Sequence, residues 1–319
     1  MAKKPNPTKT TIKKVTPKKQ RVIEQESYKT LRLHKRVKAD SKPLPSAFRI
    51  MKANLRHIYK QKRVFVGICI VYLLLSLVLI TGLLGTSNFS EIKNSLHDVF
   101  SGNYQQLTTG VALFGILLSG SGGSISESGR IYQTMMVVLI SLVAIWTFRQ
   151  TYAKEKVKVK EAFYKSTYPL IPFLLVIVVI GIQLIPMVAG TTVFGIVISQ
   201  GLAVSALEKF LWSILMLCTV LLTLYMVTSS IFALYIVTLP DVTPMQALRS
   251  ARDIVLNRRW MIMRKLLFLP LCLLLIAAAI MIPILLYATS FAQVTFIFLG
   301  MLGLIVTHGY IYKLYRELL

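Results

Sequence analysis

The side chains able to do chemistry are few and far apart. The chain has 319 residues, with four histidines (His34, His57, His97 and His308) and 12 acidic residues. A metal-dependent hydrolase draws on grouped His, Asp and Glu. Beyond the basic N-terminal stretch only one such grouping is present, Glu91 with His97 and Asp98. On a helix Glu91, Asn94 and Asp98 share a face, and a solvated amphipathic helix explains them. The three cysteines, Cys69, Cys218 and Cys272, fall in different apolar runs. They lack metal-ligand or redox spacing and read as small apolar residues. No serine stands in a Gly-x-Ser-x-Gly elbow. The glycine-rich stretch 120–129 lacks the Gly-Lys-Ser/Thr of a phosphate loop. The sequence therefore argues against an enzyme and assigns no catalytic, metal-ligating or cofactor-binding residue.

Ion-coupled carriers place ionisable groups inside their spans, where these form the proton or ion path. Every long apolar run here lacks Asp, Glu, Lys and Arg. Gln183 and Gln293 suit helix-to-helix hydrogen bonding. His308 lies four residues from Tyr312 and is expected to reach the membrane interface. A permease for a small or lipidic substrate, or the membrane subunit of a transporter, stays open, because such cargo needs no buried charge.

The elements that would position these residues are membrane helices. Hydrophobic residues make up 55% of the chain and charged ones only 15%, against about 25% charged in soluble domains. A span needs about 20 mostly apolar residues. Runs at 64–85, 169–188, 210–239, 266–287 and 291–312 meet this, and 131–148 is shorter but uncharged. The expected fold is an all-α integral membrane protein of six transmembrane helices. The run at 111–119 is too short to span and reads as re-entrant or interfacial. The uncharged outer segment 189–207 is expected to pack at the interface or dip into the membrane. The first run starts far beyond the reach of a signal peptide and is expected to act as an uncleaved anchor.

Lys and Arg concentrate in cytosolic loops. With six spans and the N-terminus inside, 34 of the 37 basic residues are cytosolic, and only Lys93, Arg130 and Lys209 lie outside. Both termini are thus expected in the cytosol, in a cell (plasma or inner) membrane.

Residues 1–45 form a basic arm, with 14 Lys and Arg against Glu24, Glu26 and Asp40. With so little apolar content it is expected to be disordered, leaving 46–319 as the membrane domain. Anionic lipid attracts each basic residue near its surface by about 1 kcal/mol. A lysine-rich tail also binds RNA, the ribosome included, without sequence preference. Topological signalling and a protein partner are further readings of the arm. Oligomeric state is not legible.

A motif before the first span, Phe48, Arg49, Met51, Lys52 and Leu55, returns before the fifth as Leu248, Arg249, Ala251, Arg252 and Val255. Glu161-Ala162-Phe163-Tyr164-Lys165 gives a shorter echo before the third. The pattern predicts an amphipathic elbow helix before each odd-numbered span, giving three units of elbow plus two spans. Its apolar face would dip into lipid, and its basic face would meet headgroups. Thr243, Pro244 and Gln246 predict a capped helix start. Arg49, Lys52, Arg249, Arg252, Arg258 and Arg259 are the candidate contacts to anionic lipid headgroups.

The stretch from Thr243 to Arg252, with Asn257-Arg258-Arg259-Trp260 and a long apolar run after it, resembles a loose bacterial and archaeal superfamily. That superfamily includes the membrane domain joined to some glycerophosphodiester phosphodiesterases, together with related six-span proteins. The resemblance covers about 46–319 and implies a fold rather than an activity, since the chain offers no room for the phosphodiesterase domain. The leading expectation is a non-catalytic scaffold, assembly or lipid-handling factor.

Overall fold

The structure is a computed structural model, and it describes residues 44–76, 127–256, 258–288 and 291–319. The basic arm, the second half of the first expected span, the run at 111–119 and the Glu91/His97/Asp98 group lie outside the described residues.

The described residues form helices and connecting turns. They are α1 (Ala47–Lys60), α2 (Lys62–Ser76), α3 (Glu127–Tyr152), α4 (Val159–Ser166) and α5 (Leu170–Ser199). They continue as α6 (Ala206–Ser230), α7 (Ala233–Ile236), α8 (Pro244–Val255), α9 (Arg259–Tyr287) and α10 (Ala292–Leu318). Five helical stretches are long and apolar enough to cross a membrane: Ile131–Tyr152, Leu170–Ser199, Ala206–Ile236, Arg259–Tyr287 and Val294–Leu318. The fold is thus helical, with five candidate membrane-crossing helices.

Three boundaries depart from the sequence expectation, each for a local reason. The third apolar run does not end near 188. Helix α5 continues through Pro186, Gly190 and Gly195 to Ser199, so most of the uncharged outer segment extends the span. At Gly190 the chain packs against α6, and a Cβ there would lie 2.9 Å from Thr219 Cβ. Small residues at such crossings let two membrane helices approach closely. Helix α6 begins earlier than expected, because Ser205 and Glu208 form a capping box ahead of it. That run also does not reach 239 as one helix. It breaks after Ser230 and resumes as the single turn α7.

The short helices before α2, α5 and α9 form as the motif predicts. Ser46 caps α1, its Oγ accepting from the Arg49 N–H at 3.4 Å. Thr243 and Gln246 form a capping box on α8, with Pro244 in its first turn. Asp241 takes the positive φ of 59° that turns the chain into this helix, a conformation that Asp tolerates better than most residues.

Packing is uneven along the bundle. Helix α3 is central, with 56% of its most apolar window buried, against 11% for α5, 6% for α6 and 17% for α9. Helices α5 and α6 pack chiefly on each other as a hairpin, with further contacts to α8 from both and to α9 from α6, and bury little of their apolar surface. Large buried rings concentrate where α1, α3, α7 and α10 meet: Phe148, Phe232, Tyr235 and Tyr310 are each under 2% exposed.

Candidate lipid-contact site at the elbow end

Helices α1, α7 and α8 gather at the end of the bundle where α3 and α10 finish. Arg149, near the C-terminus of α3, donates to the carbonyls of Thr238 at 2.9 Å and Tyr235 at 3.3 Å. The carbonyls closing a helix have no partner within it, and a guanidinium fork can serve two acceptors at once. Arg149 thereby fastens the turn after α7 to the central helix and fixes where α8 begins. A chain of rings continues this layer: Tyr235 lies 6.2 Å from Tyr312, and Tyr312 lies 5.5 Å from Tyr152. Tyr152 stacks on His57 of α1 at 4.0 Å with the planes 2° apart.

Helix α1 is locked into this layer by polar contacts. The fully buried Asn54 donates through Nδ2 to the Val306 carbonyl of α10 at 3.0 Å. His57 Nε2 lies 3.0 Å from Thr151 Oγ1. The Thr151 hydroxyl has a single hydrogen, and carbonyls accept it within its own helix, from Thr147 at 2.9 Å and Phe148 at 3.2 Å. The same hydroxyl thus lies within reach of the ring and of its own helix, and which of His57 and Thr151 donates follows the ring's tautomer. Burial first, and then the charges of Arg316, Lys313 and Lys60, hold His57 below its ordinary value of 6.5. Farther back, Lys265 at the start of α9 donates to the Pro45 carbonyl ahead of α1. Tyr310 in turn donates to the Lys265 carbonyl at 3.0 Å.

Against this frame the candidate residues divide. Arg49 and Lys52 on α1, and Arg249 and Arg252 on α8, are exposed. Arg258 and Arg259 are half-buried, and the Arg259 guanidinium lies 4.3 Å over the Tyr225 ring of α6, a cation–π contact. Arg259 is thus held by the bundle. Helix α1 seats on α10, α9 and α2, whereas α8 seats on α7, α6 and α5. The basic residues accordingly occupy separate seats.

The apolar faces correct the expectation that they dip into lipid. Met51, Ala251 and Val255 are buried in the protein core, beside Ile50 and Ala247. Phe48 and Leu55 do point outward, 69% and 45% exposed, and Leu248 is half-buried. The elbows are thus built into the bundle on one side, with part of the apolar set left at the surface. His308 is a second correction. It does not reach the interface but is buried, with Nδ1 2.9 Å from the Tyr235 hydroxyl. Four residues from Tyr312 means one turn of α10, and that turn lies inside the ring layer.

Several residues of this end carried no readable signal in the sequence. Asn54 and His57 sit among lysines and arginines that mask them as one more polar loop. Arg149 reads as a topological charge, although it spends its hydrogen bonds inward. Among the described residues no three of His, Cys, Asp and Glu group as metal ligands.

Compared with known proteins, the chain matches no family model, no curated protein and no solved structure.

Proposed function

We propose that the protein is a non-catalytic, six-span membrane protein with both termini in the cytosol. It serves as a scaffold or lipid-handling factor that holds anionic lipid at its cytosolic face. The observation that carries this reading is the construction of α1 and α8. Each buries one face in the bundle core and exposes Arg49 and Lys52, or Arg249 and Arg252, on the other. Because each helix is fixed on its buried face, its two exposed cations are held as a standing site for an anion. At the end of a bundle of apolar helices the abundant anions are lipid phosphates. Arginine suits them because its planar fork makes paired hydrogen bonds. The charge count of the sequence supports placing this end in the cytosol, where anionic lipid is enriched. The six-span count rests on the first apolar run, of which α2 is the described half. The resemblance to the six-span superfamily is part of this same proposal.

The experiment is lipid retention by the purified full chain. Arg249→Gln with Arg252→Gln keeps good helix formers in α8 and should lower retained phosphatidylglycerol relative to phosphatidylcholine. The difference should shrink as salt rises, because screening weakens exposed charge pairs. Unchanged retention in the double variant would remove α8 from the function proposed.

A further inference from the structure

Beside α1 runs a groove of which the reading above uses Lys52 alone. It lies between the end of α1, the start of α2 and the middle of α10, with a volume of about 710 Å³. That is within the range of about 300–1,000 Å³ typical of small-molecule sites. Its two ends differ chemically. Lys52, Arg56 and Lys62 line one end, together with Tyr59. Apolar side chains line the rest, Cys69 and Leu73 from α2 facing Leu302 and Ile305 from α10. No acidic residue lines it. The ion pairs recorded among the described residues, Lys165 with Glu161 and Lys313 with Glu317, use none of its three cations.

We propose that this groove binds one anionic phospholipid, with its phosphate at Lys52, Arg56 and Lys62 and one acyl chain lying along α2 and α10. This rests on the reading that the elbow end faces anionic lipid, and it gives that end a specific occupant. Three observations carry it. The first is depth. From Lys62 to Leu73 a helix rises about 16 Å at about 1.5 Å per residue, close to half of a hydrocarbon core about 30 Å thick. The groove thus reaches from headgroup level to the bilayer midplane, the length of one leaflet. The second is charge. A second copy of the chain, or any apolar helix, laid in the groove would cover three cations without answering them, and buried unpaired charge is strongly unfavourable. A ligand with an anionic head and an apolar tail satisfies both ends. The third is the rim. Tyr59 is 73% exposed, and the Lys62 ammonium lies 5.4 Å from its ring centroid. An exposed tyrosine beside lysine is the pairing found at headgroup level, where amphipathic rings settle. Lysine stems lie along apolar surface with their charge at the water boundary.

The test uses the full chain in mild detergent, titrated with phosphatidylglycerol or phosphatidylcholine and weighed by native mass spectrometry. Wild type should hold one phosphatidylglycerol that survives activation, with phosphatidylcholine lost first. Arg56→Gln with Lys62→Gln removes charge at the mouth and should weaken that site about thirtyfold, at about fivefold per basic residue near an anionic surface. Leu302→Trp fills the groove, leaves every cation in place and should also abolish the tightly held lipid. Ile70→Trp repeats this from α2, and melting temperature shows that each variant is folded. Glycerol phosphate, which has the head without the tail, should not displace the bound lipid.

Some outcomes would overturn the groove. If the charge variant loses lipid but both folded tryptophan variants keep it, the contact is a surface headgroup contact only. Displacement by glycerol phosphate would mean the same. A dimer that dissociates in Leu302→Trp, with no lipid held by wild type, would make the occupant a second copy. The two proposals fail separately. If Arg249→Gln/Arg252→Gln lowers retention while the groove variants do not, the elbow reading stands and the groove falls. If only the groove variants lose lipid, the groove stands and α8 leaves the function.

Discussion

Gly309 should be among the least replaceable residues of this chain, and the structure shows by how much. It sits on α10 where α1 and α3 converge. A Cβ added there would lie 2.5 Å from Phe148 Cζ and 2.9 Å from Asn54 Cγ, with Asn54 Oδ1 nearer still. Phe148 and Asn54 are both fully buried, and Asn54 is held by its bond to the Val306 carbonyl, so neither can swing aside. Asn54 Oδ1 has no conventional hydrogen-bond partner. The Gly309 Cα–H bond that takes the place of a Cβ aims at it, a weak contact worth about 0.5–1 kcal/mol. In Gly309→Ala the gain in helix propensity is about 1 kcal/mol. Against it stand overpacking, about 1–3 kcal/mol, and a displaced buried Asn54 amide, about 1–3 kcal/mol. The net expectation is a loss of about 1–5 kcal/mol, read as unfolding in mixed micelles titrated with SDS. Asn54→Ala should itself cost about 1–3 kcal/mol, because it removes the bond to the Val306 carbonyl, yet it should relieve part of the Gly309→Ala defect. The two substitutions should couple by about 1 kcal/mol or more, as residues in contact do. A Gly309→Ala protein as stable as wild type, or strict additivity in the cycle, would refute the close approach.

Other expectations follow from the same end of the bundle. Arg149→Gln should destabilise by about 1–3 kcal/mol, since it strips donors from the Tyr235 and Thr238 carbonyls, and Arg149→Lys should restore only part, for want of the fork; thermal melts in detergent compare them. His57 is held below its ordinary value of 6.5 in the fold, so the unfolded chain binds the extra proton first. Stability should therefore be full above about 6.5 and fall as pH drops through the window between the two values; His57→Gln should flatten this dependence, and an unchanged slope would exclude His57 as its source. For topology, Val204→Cys, in the turn after α5, should react with an impermeant maleimide on intact cells, whereas Lys158→Cys should react only after permeabilisation; the reverse pattern would invert the chain.

What the sequence made legible is what depends on local rules. The helices, the capped start at Thr243 and the elbow before each odd-numbered run follow from periodicity, length and capping chemistry, which act over a few residues. Boundaries within apolar runs were not legible. The end of α5 was marked by Gly201, which takes a φ of 65° while the Leu202 N–H bonds the Val197 carbonyl at 3.0 Å. Gly190 and Gly195 earlier in the run look like equally good stops, and only the packing of Gly190 on α6 shows that the helix passes through. The direction of each elbow's apolar face was misread for a related reason. Periodicity shows that Met51, Ala251 and Val255 share a face, but lipid and a protein core are equally apolar, so only tertiary packing distinguishes them. The candidate arginines were legible as charges on helices. That Arg259 lies against Tyr225 while Arg56 and Lys62 share a groove depends on which helices are neighbours. His308 shows the limit most sharply: one turn from Tyr312 is a distance along the chain, and burial is a property of the whole layer.

The uneven packing carries the last step. A protein that moves polar cargo through its centre needs its spans gathered around that path. Here α5 and α6 bury only 11% and 6% of their most apolar windows against the other described residues. The tightly built part is the ring layer where α1, α3, α7 and α10 meet, with Arg149, Asn54 and His57 fixing its helices by hydrogen bonds. Hydrogen-bonded polar groups buried among rings hold helices in one arrangement more firmly than apolar contact alone, because shifting them leaves donors unpaired. The rigid layer therefore sits at the elbow end, beneath the exposed faces of α1 and α8, while α5 and α6 leave most of their apolar surface exposed beyond it. A rigid layer of this kind suits the proposed role, a fixed basic surface held at one end of the bundle, because such a surface works only if the helices that carry it do not shift.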